Sequence, residues 1–157
     1  MRAMLALVNF PAEPGSVELR DIPVPAISDD DVLFGVQAVS VCGSDLHRFV
    51  GKQSWKVNYP VELVHEFAGI VKQTGKNVRG FDAGDRVVGE TATVIDADSL
   101  QGSFSNNRAV WERFVSMIAS GKLNLDLALN RVSPLTEWRE FFDDMHAGRI
   151  VKGVLRP

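Results

Sequence analysis

Turn-forming residues interrupt the first ninety positions at close intervals, and this limits the fold more than anything else in the chain. The apolar runs between them are short, rich in Val and bounded by Gly and Pro, the pattern of a compact β-barrel or sandwich. Strands are expected at Ala3 to Asn9, Val17 to Ile22, Val32 to Val39, Phe67 to Thr74 and Arg86 to Gly89. Pro23-Val24-Pro25 cannot continue a central ladder, because proline donates no hydrogen bond, so it marks an edge or a connection. Gly75-Lys76-Asn77 and Gly84-Asp85 supply turns between strands.

After Gly102 the periodicity changes. From Asn107 to Ser120, Val110, Trp111, Phe114, Val115 and Ile118 fall at helical spacing, and Gly121-Lys122 suits the helix end. A second amphipathic helix is expected where Leu135, Trp138, Phe141, Phe142 and Met145 share a face, with Ser133 or Thr136 to cap it and Gly148 to end it. Leu127 to Val132 and Ile150 to Leu155 read as strands on either side.

The chain of 157 residues is the size of one domain and long enough to bury a core unaided. Its 17 basic and 20 acidic residues form no basic stripe, so neither nucleic acid nor an anionic membrane is an expected partner. A single cysteine forms no internal disulfide, which points to an intracellular, cytoplasmic protein and rules out a four-cysteine zinc site. Met4 to Phe10 is too short for a signal peptide ahead of Pro11, and no run approaches the roughly 20 apolar residues of a membrane span.

Chemistry gathers in two places. Val41-Cys42-Gly43-Ser44-Asp45-Leu46-His47 and His65-Glu66 together hold the only cysteine, two of the three histidines, a hydroxyl and two carboxylates. Cys42, His65 and Glu66 would supply the three protein ligands of a catalytic zinc, and a thiolate with an imidazole suits zinc better than calcium or magnesium. Neighbours on a strand point to opposite faces, so His65 and Glu66 reach one metal only if the backbone turns between them. Taken singly, each half has an ordinary alternative: a lone cysteine is more often a small buried hydrophobe, and Ser44 and His47 can simply face solvent on a short helix.

Cys42 through His47, then His65-Glu66-Phe67-Ala68-Gly69 with Gly75 and Val78, then Phe81-Asp82-Ala83-Gly84-Asp85-Arg86-Val87 resemble the zinc-dependent alcohol dehydrogenases of the medium-chain dehydrogenase/reductase family, nearest its sorbitol and threonine dehydrogenase branch. Gly102-Ser103-Phe104, Ser120-Gly121-Lys122, Pro134-Leu135 and Val154-Leu155-Arg156-Pro157 resemble the C-terminal segment of the same catalytic domain, so the likeness runs through nearly the whole chain. It implies a GroES-like fold, mainly β with α: a partly open β-barrel carrying two C-terminal-segment helices. It implies that Cys42 and His65 ligate zinc, with Glu66 a ligand or a close carboxylate, and that the metal polarises an alcohol for hydride transfer to NAD(P). With Glu66 also in the catalytic set, Ser44 would then accept the alcohol proton and His47 pass it to solvent through the coenzyme ribose, both lying on the ribose side of any bound coenzyme, while Asp45 braces the site. Trp55, with Tyr59 and Phe49, is a candidate for lining a substrate pocket for a small alcohol or ketone.

The family sets a Rossmann coenzyme domain between its two catalytic segments. Here only the ten residues Thr91 to Leu100 separate Glu90 from Gln101, whereas one βαβ unit takes roughly 30 residues. No G-x-G-x-x-G fingerprint follows a strand. A ten-residue link spans up to about 33 Å, enough to join two segments that meet in space. Val64 stands where the family usually has glycine; if that position takes a positive φ, a β-branched residue is strained there by about 1–3 kcal/mol. One domain is therefore expected over 1–157: an N-terminal segment 1–90, a seam 91–100 and a C-terminal segment 101–157. The expected function is a zinc-binding catalytic domain without its coenzyme domain and at most weakly active. The alternative is a non-enzymatic folded scaffold with a vestigial metal site, associating through the exposed former domain contact; an interaction module resembling the chaperonin cap is a weaker third reading.

Overall fold

The computed structural model describes residues 3–10, 13–89 and 108–157. The expected seam and the Gly102-Ser103-Phe104 motif lie outside them. Among the described residues, eight strands form two sheets, accompanied by three α-helices. Strands β1 (Ala3–Asn9), β2 (Val17–Pro23) and β4 (Val61–Glu62) form the smaller one, in the antiparallel order β2-β1-β4. Pro23 ends β2 on its outer edge, where a missing N–H costs no ladder bond.

The larger sheet takes β3 (Val32–Ser40), β5 (Glu66–Thr74), β6 (Arg86–Val88), β7 (Arg131–Pro134) and β8 (Gly153–Arg156) in the order β6-β5-β3-β8-β7. All its pairings are antiparallel except β7 with β8. Among the described residues no strand pairing closes either sheet into a barrel, so the architecture is the partly open β fold expected of a GroES-like domain. Because β8 pairs with β3, the C-terminal part of the sequence completes a sheet begun by the N-terminal part.

The helices are α1 (Gly43–Phe49), α2 (Arg108–Ala119) and α3 (Trp138–His146), the last led in by a 3-10 turn over Leu135–Glu137. Gly121 and Gly148 follow α2 and α3 with φ of 71° and 73°, the left-handed stops their positions predict. The core lies where α1 and α3 meet the sheets. Phe141, Phe142, Val41 and Leu155 are fully buried, and Phe49 stands edge-on to Trp138 and Phe142 at centroid distances of 6.2 and 5.3 Å. Arg131 ties β7 to α3 through ion pairs with Glu140 at 3.1 Å and Glu137 at 3.6 Å and a contact with Asp144, which also holds Arg149.

Several expectations need correction. Leu127 to Val132 is not a strand: a turn covers 126–128, Leu127 is 90% exposed, and pairing begins only at Arg131, where β8 offers a partner. The second of that pair likewise starts at Gly153 rather than Ile150, since Ile150 is drawn into the core ahead of the strand. Neither Ser133 nor Thr136 caps α3; the 3-10 turn replaces the cap, and the Ser133 hydroxyl instead accepts a hydrogen bond from Arg131 Nε at 2.9 Å. Finally, α3 is buried far more than α2: Trp111 is half-buried at the cavity wall, but Val110, Phe114, Val115 and Ile118 are each at least 36% exposed.

Candidate metal centre

The site is assembled around Asp45. Cys42 occupies the N-cap of α1 in extended conformation, and Asp45, three residues on, turns its carboxylate back so that Oδ2 accepts the Cys42 N–H at 2.9 Å. An acidic group in a first helical turn also meets the positive end of the backbone dipoles. The other oxygen, Oδ1, accepts the Val64 N–H at 3.0 Å and lies 3.6 Å from His65 Nδ1. Asp45 is only 1% exposed, so these contacts form in a weakly screened interior. One buried carboxylate thus ties Cys42 to Val64 and lies beside the His65 ring.

Val64 has φ 72°, the positive value considered for that position, and it is the one non-glycine residue in the left-handed region among the described residues. β5 begins only at Glu66, so His65 lies in the bend and not on the strand. This bend removes the strand alternation that would have sent His65 and Glu66 to opposite faces. Their ligand atoms and that of Cys42 lie within 4.8 Å of one another, and all three residues are half-buried. Tetrahedral zinc with bonds of about 2.0–2.3 Å sets its ligands roughly 3.5 Å apart, so small side-chain rotations would close the set. The chemistry of the donors, a thiol, an imidazole and a carboxylate with room for a fourth ligand, fits zinc.

Glu66 has a second engagement that its sequence neighbourhood does not announce. Lys152 Nζ, 86 residues away in sequence, lies 2.5 Å from Glu66 Oε2. Burial works against the Glu66 charge, but the Lys152 hydrogen bond and charge lead the interactions that more than offset it and hold the carboxyl below its ordinary value of 4.5. Glu66 and Lys152 open onto a cavity of about 510 Å³ whose walls include Ser40, Phe67, Val88, Trp111 and Val154. The sequence carried no signal for Ser40, Lys152 or Trp111 beyond helical spacing at Trp111.

Of the other candidates, Ser44 is half-buried in the first turn of α1 and His47 is exposed on its last turn. Trp55 is 41% exposed beneath the Arg48 guanidinium, 6.0 Å from its ring centroid, and is not among the walls of the cavity at Glu66. Tyr59 receives a hydrogen bond from Gln53 at 3.0 Å, and Phe49 belongs to the core, where its ring is held by Trp138 and Phe142.

The alcohol dehydrogenase GroES-like domain model matches residues 28–120, more than half of the chain, and spans β3 through α2. The chain belongs to this family. An L-threonine 3-dehydrogenase of Streptomyces avermitilis is 46% identical over 89 residues, 55% of this chain and 26% of the relative. One from Bacillus velezensis is 43% identical over 76 residues, 46% of this chain and 22% of the relative. Among solved structures, an Escherichia coli oxidoreductase/dehydrogenase of unknown specificity involved in membrane biogenesis superimposes with a TM-score of 0.50 at 33% identity, covering 57% of this chain and 26% of that one. The chain therefore spans about a quarter of the length of the relatives it matches. Among the described residues, no helix is long and apolar enough to cross a membrane.

Proposed function

We propose that this chain is a single zinc-binding catalytic domain, 1–157, of the alcohol and polyol dehydrogenase type, acting in the cytoplasm with no coenzyme-binding domain between its two segments, where only the ten residues Thr91 to Leu100 stand. The observation that carries this reading is the convergence of Cys42, His65 and Glu66 within 4.8 Å. When bound, zinc would supply Lewis acidity toward an alcohol or ketone oxygen and so prepare hydride exchange with NAD(P). Asp45, facing Nδ1, orients the His65 ring and leaves Nε2 for the metal. Ser44 takes the alcohol proton and His47, exposed one turn on, delivers it to water. The coenzyme contributes only weakly, because ten residues cannot form a domain to hold nicotinamide against the substrate carbon, and turnover is slow at best.

Metal analysis is the direct test: protein stripped with chelator and dialysed against zinc should retain one zinc per chain, and Cys42→Ala should retain none. Equal retention by the variant, or none by either, overturns the reading. An assay over small alcohols and ketones with NAD(P) then measures how much chemistry survives.

A second reading, a folded scaffold that associates with itself and catalyses nothing, is favoured by the exposed apolar face of α2.

A further inference from the structure

Lys152 is placed at the site by backbone hydrogen bonds, not by chance reach of a long side chain. Asn130 Oδ1 accepts the N–H groups of Val151 and Lys152 at 3.0 and 3.2 Å, and Asn130 N donates to the Lys152 carbonyl at 2.8 Å. This clamp precedes β8 and presents the lysine to Glu66, where Nζ and Oε2 meet at 2.5 Å. Both side chains are about two-fifths exposed, at 41% and 37%, and a pair so exposed contributes little to stability. Its placement on a candidate metal ligand is therefore the property to explain.

Charge decides what the contact does. A thiolate from Cys42 and the carboxylate of Glu66 would together balance a divalent ion, with His65 neutral, while the buried Asp45 carboxylate beside His65 offsets the Lys152 charge. The ammonium and the metal would draw on one and the same carboxylate, so a Glu66 lone pair held by Lys152 is withheld from the ion. We propose that Lys152 is a positioning residue that competes with the metal for Glu66, weakening metal binding and keeping the carboxylate at the margin of the ligand set. This rests on the reading that Cys42, His65 and Glu66 hold a divalent metal. Groups around a metal's ligands commonly change affinity by about 10–100-fold, and here the change on removing the group is toward tighter binding.

Cobalt(II) titration of the chelator-treated full chain, followed by the thiolate-to-cobalt charge-transfer band, reads both affinity and coordination. Lys152→Leu and Lys152→Gln should bind cobalt about tenfold more tightly than the parent, with changed d–d absorption as Glu66 enters the set. Lys152→Arg, which keeps the charge, should stay near the parent. In a Glu66→Gln background the Lys152→Leu change should have no effect. Affinity that is unchanged or lowered in both neutral variants overturns the proposal, as does tightening that persists without the Glu66 carboxylate. A parent chain with no charge-transfer band dependent on Cys42 would instead show that the metal reading itself fails, and the proposal with it.

Discussion

Val64 holds a left-handed backbone at φ 72° while its side chain packs against the buried core. Such a conformation costs a β-branched residue about 1–3 kcal/mol. It persists because its N–H is held by the buried Asp45 carboxylate, which is also what bends the chain to bring His65 and Glu66 together. Strain and packing separate in two substitutions. Val64→Ala keeps the strain and loses two methyl groups from the core, whereas Val64→Gly loses the Cβ as well but relieves the strain. In urea unfolding the glycine variant should be more stable than the alanine variant by about 1 kcal/mol. An alanine variant equal to or above glycine would show that no strain resides at Val64.

The β3–β5 pair depends on a close approach at its end. The turn after β5 lies on the segment before β3: Gly75 N donates to Asp31 O at 2.8 Å, Asn77 N to Asp29 O at 2.9 Å, and Asn77 Nδ2 to Asp30 Oδ1 at 2.9 Å. A Cβ at Gly75 would stand 2.3 Å from Asp29 O and 2.5 Å from Ser28 O, backbone atoms that cannot rotate away. Gly75→Ala should therefore cost about 1–3 kcal/mol in the same unfolding measurement. Gly43→Ala, which meets nothing within 4 Å and lies in α1, should be neutral or slightly stabilising. Equal effects would mean that the chain relaxes around the added Cβ and that glycine is not required at position 75.

Across the whole molecule, apolar surface is unevenly disposed. α3 buries Trp138, Phe141 and Phe142, while α2 leaves Val115 50% and Val110 46% exposed, and Val151 and Leu127 stand out at 81% and 90%. Exposed apolar side chains gathered on one helix face usually mark a contact surface. The chain should associate with itself in sedimentation velocity experiments as concentration rises, and Phe114→Glu should shift it toward monomer. A parent chain that stays monomeric at every concentration would remove the support for the self-associating reading.

Most of the strands, both C-terminal helices and the donor residues could be read from the sequence, because each depends on local chemistry: apolar period, turn glycines, and a cysteine and histidine near carboxylates. The misplacement of the strand at Leu127 shows the limit of that reasoning. An apolar run becomes a strand only where another strand offers its hydrogen bonds, and β8 offers them from Arg131 onward. Cys42, His65 and Glu66 were legible as candidate donors, but their convergence was not, since it goes with a positive φ at Val64 and with an Asp45 carboxylate that accepts from both Cys42 and Val64. Lys152 was beyond the sequence altogether. Its contact with Glu66 exists because β8 pairs with β3 and Asn130 clamps the chain ahead of it, long-range geometry that no local pattern encodes.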